Sequence, residues 1–163
     1  MRQSDVAKER ELNGHIFYIR PFFSFTAANL SGEVSSFILP IVSAVLPAVV
    51  ADDKEDTSFA DIGIDVAVPA MTQAAATMSG DRLESLLKKL LTKHGNISVQ
   101  LVGKESAERL TEDLANNIFV SDVQDMFVLA YDVIRVNFNG FFEKLASLFG
   151  ERLKDLAEKV KTT

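Results

Sequence analysis

The stretch SDVQDMFVLAYDVIRVNFNGFFEKLASLFG, residues 121–150, decides how this chain folds. Ser121 followed three residues later by Gln124 has the pattern of a capping box, in which each side chain satisfies a backbone donor that a starting helix leaves unpaired. A helix is predicted to begin near Asp122. Val123, Met126, Phe127, Ala130, Val133, Ile134, Asn137, Phe138 and Phe141 follow at three- and four-residue steps and gather on one broad face. Gly140 marks a kink or a tight packing point, after which the helix is predicted to run to about Val160. In that last part Phe142, Leu145, Phe149, Leu153, Leu156 and Val160 form a seam, so residues 143–163 read as an amphipathic helical arm. A helix with this much apolar face has to be covered, by its own core or by another chain.

Working upstream, Glu105 to Ile118 is predicted as a helix through Leu110 and Leu114, with a break near Phe119 and Val120. Residues 97–102 alternate as a strand ending at Gly103. Asp81 and Glu84 open a helix with Leu83, Leu86, Leu87, Leu90 and Leu91 on one stripe and Lys88, Lys89 and Lys93 facing away, closed by Gly95. Ala67 to Met78 is predicted as a short helix starting near Pro69 and ended by Ser79 and Gly80. From Phe22 to Ala51 the composition is helical, but Gly32, Pro40 and Pro47 are expected to divide it into two segments. Asn13-Gly14 between two strand-like runs predicts a β-hairpin in residues 1–20, because a type I′ turn needs positive φ at both central positions. The strand at 97–102 is its natural third member, since a lone hairpin is only marginally stable. The expected fold is α+β and predominantly helical: an amino-terminal hairpin and about five helices, the last long and kinked, in one domain over 1–163.

Composition narrows the function. With 163 residues and 47% hydrophobic content the chain can fill one core. It has no cysteine, which excludes disulfides and thiolate metal sites, and only His15 and His94 could supply imidazole chemistry. The net charge of −6 is concentrated in 52–65, where six acids face the single Lys54, and this segment reads as a solvated acidic loop. No cluster of Lys and Arg is present to replace the counterions of a phosphate backbone, so nucleic acid is not an expected partner. The opening run MRQSDVAKERE is unlike a signal peptide. Val34 to Ala51 is free of charge over eighteen residues, but its serines, its two prolines and the lack of a basic flank favour a kinked buried helix over a membrane span.

The search for chemistry finds no phosphate loop, dinucleotide fingerprint, nucleophile elbow or paired-histidine zinc motif. Gly103-Lys104-Glu105-Ser106 lacks the earlier glycine of a phosphate loop. Asp122 and Asp125 read as acids favoured by a helix amino terminus, and Asp132 with Arg135 as an exposed ion pair. No enzyme activity, cofactor or metal is expected. The aromatic groups Phe127, Phe138, Phe141, Phe142 and Phe149 permit two readings, an ordinary core or an exposed patch that engages another chain.

The segments RELNGHIFYIRPF (10–22), LTED (110–113), DVQDMF (122–127) and VIRVNFNGFF (133–142) resemble the tail assembly chaperones of long-tailed bacteriophages and prophages. The likeness spans most of the chain and is firmest at its two ends. It implies a non-enzymatic protein that binds the long, apolar tape-measure protein, keeps it soluble and helps bring tail tube subunits to polymerise around it. It further implies action in the host cytoplasm, absence from the mature virion, and in many members a longer frameshifted form. Together with the excess of apolar helical faces, this makes Phe127, Phe138, Phe141 and Phe142, with Leu145, Phe149, Leu153 and Leu156 of the terminal seam, the expected partner surface, and a homo-oligomer the expected state. A structural tail or connector component and a membrane-associated helical protein are the alternatives.

Overall fold

The structure, a computed structural model, describes residues 7–51 and 63–140, with side chains described in 7–38 and 63–140. It begins with β1 (Lys8–Leu12) and β2 (His15–Ile19), joined by Asn13 at φ 52° and Gly14 at φ 82°. These are the two positive φ values that a type I′ turn requires. Later in the chain come β3 (Ile97–Gln100) and β4 (Glu108–Arg109). All four pair antiparallel in the order β1-β2-β3-β4, with Arg10 opposite Phe17, Phe17 opposite Val99, and Ile19 opposite Ile97.

This register puts Lys8, Arg10, Leu12, Phe17, Ile19, Ile97 and Val99 on one face, since side chains alternate along a strand. Phe17, Ile19, Ile97 and Val99 are sealed from solvent there. The opposite face is polar at Tyr18 and Gln100, whose side chains share a hydrogen bond of 3.1 Å. The predicted third strand is present.

The helices are α1 (Ser24–Ala51), α2 (Ile64–Ala76), α3 (Gly80–Leu91), α4 (Glu112–Ile118) and α5, which is helical over 123–140. The α3 helix has the predicted apolar stripe, with Leu86, Leu87, Leu90 and Leu91 buried and Ser79 accepting from the Arg82 amide at 3.3 Å. Gly95, just beyond it, has φ 63°. The α5 helix starts within a residue of the expected point, and its middle departs from the one-faced pattern. All eight residues from Phe127 to Ile134 are buried. It is the central element, with Tyr131, Val133 and Ile134 in one cluster with the sheet and the α1, α2 and α3 stripes.

Four expectations are corrected. The run 22–51 contains one helix of 28 residues, Ser24–Ala51, not two. Each interior proline removes a single donor, and the buried stripe of Leu30, Val34, Phe37 and Ile38 anchors the helix before Pro40 is reached. The α2 helix begins at Ile64, with Pro69 inside it and Asp65 in its first turn, so the end of the acidic segment is helical. Residues 105–110 are not helical, because the Leu110 amide donates to Ile97 O at 2.9 Å and the chain there extends the sheet edge. Thr111 starts α4 instead, accepting from the Leu114 amide at 3.2 Å. Finally, Asp132 and Arg135 are not an exposed pair: Asp132 is fully buried against β1, and Arg135 lies over the Tyr131 ring at 5.5 Å.

Among residues with described side chains, no helix is long and apolar enough to cross a membrane. Within the charge-free run 34–51, Val34, Phe37 and Ile38 belong to the core. The remainder of the predicted acidic loop, 52–62, and the predicted arm, 143–163, lie outside the described residues.

Candidate partner-binding surface

Six of the residues expected to form a partner surface, Phe141, Phe142, Leu145, Phe149, Leu153 and Leu156, lie outside the described residues. The other two, Phe127 and Phe138, are 7% and 5% exposed and belong to the core cluster. In the isolated chain they support the helix that leads to the remaining six.

A polar seam holds the hairpin against α5. The inward face of β1 presents Lys8 and Arg10, and both reach Asp132. Lys8 Nζ donates to Oδ1 at 2.9 Å, Arg10 Nη2 to Oδ1 at 2.8 Å, and Arg10 Nε to Oδ2. The Asp132 hydrogen bonds hold the Arg10 guanidinium above its usual pKa, against the opposing effect of burial. At the turn, Asn13 Nδ2 donates to Asp125 at 2.8 Å and to Asp122 at 3.3 Å. Beyond β2, the Phe22 amide donates to Asn137 Oδ1 at 2.7 Å, while Asn137 Nδ2 donates to Val133 O at 2.9 Å. The predicted helix-start acids and the predicted ion-pair aspartate therefore share one task, tying residues 8–22 to residues 122–137. None of the contacts between these two segments was legible locally, because each joins groups more than a hundred residues apart in sequence.

The histidines sit in ordinary surroundings. His15 Nδ1 accepts from the Val102 amide at 3.2 Å. His94 meets the Phe22 ring edge-on at 5.7 Å, and partial burial, then Lys93 and Lys89, lower its pKa. A shallow opening of about 360 Å³ is lined by Lys88, Thr92, Lys93, Arg109, Thr111 and Glu112. Lys88 there bridges Glu84 at 2.6 Å and Glu112 at 3.1 Å, which raises its own pKa and lowers that of Glu84. Among the described residues no group of three His, Cys, Asp or Glu is placed to hold a metal ion.

The exposed large apolar groups are the feature that sequence reasoning missed. Phe23 and Phe25 are 89% and 92% exposed, and Val66, Val102, Val120 and Val123 also face solvent. The signal for Phe25 is helical phase. It precedes Leu30 by five residues, roughly 140° around the helix from the buried stripe.

Comparison with known proteins gives a family match. The family model described as phage tail assembly chaperone protein covers residues 13–150. No curated protein matches, and no solved structure does. The matched span runs from the hairpin turn through α5, and so includes most of the partners in the polar seam.

Proposed function

The chain belongs to the phage tail assembly chaperone family, and from that premise we propose that it binds and solubilises the tape-measure protein and helps recruit tail tube subunits during tail assembly. The observation that carries this reading is the family match over residues 13–150. Its physical support is a surplus of apolar groups over what one small core uses. Two phenylalanines stand almost fully exposed, Phe23 just before α1 and Phe25 in its first turn, and the sequence past Gly140 adds Phe141, Phe142, Leu145, Phe149, Leu153 and Leu156. A long apolar client is held soluble by surfaces of this kind, which exclude water over many weak contacts rather than reading one side chain.

The partner surface in this reading is the end of α5 and the segment after it, with Phe127 and Phe138 as buried support. The protein acts in the host cytoplasm, as a homo-oligomer, and leaves before the virion is complete. Co-expression with the tape-measure protein tests it. The expected result is tape-measure protein in the soluble fraction only when the chaperone is present, and its return to the pellet when Phe141→Ser and Phe142→Ser are introduced. Unchanged solubility with a folded double variant would remove the assigned surface. Mass spectrometry of purified particles separates this reading from a structural tail component, which would be retained there.

A further inference from the structure

The sheet ends in two edges, β1 and β4, and the register carries charge from one to the other. Glu9 is opposite Tyr18, Tyr18 opposite Ser98, and Ser98 opposite Arg109. The adjacent row, on the other face, runs from Arg10 through Phe17 and Val99 to Glu108. Each row therefore ends in a charge at one edge and the opposite charge at the other, and the order reverses between the two faces. Glu9, Glu108 and Arg109 are exposed, and among the described residues none of the three has an ion-pair partner. Arg10 shares the Asp132 carboxylate with Lys8, so two cations there meet one anion. The Arg109 guanidinium lies against Gly95, where a Cβ would stand 3.1 Å from its Cζ, with no acid holding it.

The backbone has the matching phase. The Arg20 amide donates to Asn96 O at 2.9 Å, so Tyr18 and Ile16 turn their backbone groups to β3 while Ile19 and Phe17 turn theirs to β1. Their partners Lys8 and Arg10 are thereby used inside the sheet, and Glu9 and Glu11 direct N–H and C=O outward. At the far edge the Leu110 amide donates to Ile97 O at 2.9 Å, which leaves the backbone groups of Arg109 outward. Among the described residues no backbone group bonds to either set.

We propose that copies of this chain associate head to tail, β4 of one copy adding to β1 of the next with Arg109 opposite Glu9 and Glu108 opposite Arg10. The alternating strand directions make this pairing antiparallel when the sheet continues in one sense. It joins outward groups to outward groups and opposite charges on both faces. The homotypic pairings do neither task well. A second β1 sets Glu against Glu at its outward positions, and a second β4 sets Arg109 against its own copy, both of which destabilise. Exposed ion pairs contribute little by themselves, so the charges select partner and register while the backbone bonds supply attraction. Such a contact is heterologous: it grows past a dimer, and closes as a ring or extends as a filament according to the rotation it imposes. It names an interface for the homo-oligomer of the proposed function and rests on that reading for the oligomer alone.

Sedimentation of the full chain over two orders of magnitude in concentration tests it. The mean mass should rise past that of a dimer. Glu9→Arg and Arg109→Glu, each alone, should weaken association roughly tenfold, because each sets like charges opposite one another. An equimolar mixture of the two variants should recover it, since each supplies the charge the other now needs. A parent that stays monomeric throughout overturns both the interface and the oligomer. Single variants that associate as the parent does leave the oligomer standing and overturn this interface, as do a mixture without recovery and a parent that stops at the dimer. Should either charge variant lose its far-UV signal, the absence of cysteine from the chain allows a second route. Directly opposed residues of a hydrogen-bonded pair have Cα atoms about 5.5 Å apart, within disulfide reach. Glu9→Cys and Arg109→Cys chains mixed under mild oxidation should give mixed dimers in excess of either homodimer, and homodimers alone or no link overturn the proposal.

Discussion

Asp132 carries a charge at a position with no solvent access, and Lys8 and Arg10 are what make it tolerable there. Removing a carboxylate from such a cluster leaves two cations facing the core without their partner. Asp132→Asn is expected to cost about 2–3 kcal/mol in urea unfolding, below the range for a fully buried pair, because Lys8 and Arg10 keep 32% and 25% of their side-chain exposure. Replacing all three by apolar residues of similar size should recover most of that loss, and a triple variant no better than Asp132→Asn would show that the cluster stabilises by more than mutual compensation. His94 is exposed, but its contact with Phe22 and the nearby lysines set the sign of a pH effect. Its folded-state pKa lies below 6.5, so the unfolded chain binds more protons in the acid range. Its contribution is complete above the unfolded value and is lost as pH falls from about 6.5 through the lowered pKa. Urea midpoints measured from pH 7.5 to 5 should fall, and His94→Gln should flatten that slope. An unchanged slope would assign the acid sensitivity to other groups.

At the scale of elements, legibility followed how local the deciding interactions are. The hairpin and α3 were readable because Asn13-Gly14 dictates a turn and the leucines of α3 repeat within one helix. The strand β4 was not, because Glu108 and Arg109 have no strand pattern of their own and are placed by the β3 edge. The length of α1 is not legible locally because proline is a strong local signal while the stripe that holds the helix, Leu30 to Ile38, depends on packing against α2. The hairpin turn also makes a sharp prediction. Gly14 has φ 82°, and a Cβ there would come within 2.9 Å of Val102 Cγ2. Gly14→Ala should destabilise by about 1–2 kcal/mol, combining backbone strain with the clash. Adding Val102→Ala should relieve only the second part, so a full rescue by that change would show that the backbone conformation contributes nothing.

At the scale of the whole molecule, α5 is both the centre of the core and the element that leads to the proposed partner surface. This is why the aromatic residues of 121–150 could not be sorted in advance. Their periodicity shows which groups share a face, but not whether that face meets the sheet and the α1–α3 layer or a second protein. Phe127 and Phe138 are in the core, so truncating them acts on stability. Phe127→Ala is expected to cost about 3–5 kcal/mol, a large share of the total stability of order 5–15 kcal/mol of such a domain. Where that leaves little stability, the variant loses the proposed tape-measure binding merely by losing its fold. Phe141→Ser with Phe142→Ser should behave in the opposite way if these two are surface anchors, keeping the urea midpoint close to that of the parent while abolishing capture of the tape-measure protein. Midpoint and capture measured on the same preparations therefore separate the two roles. Parallel loss of both quantities in the Phe141 and Phe142 variant would place those residues in the core with Phe127 and move the partner surface elsewhere, with Phe23 and Phe25 as the next aromatic pair to test.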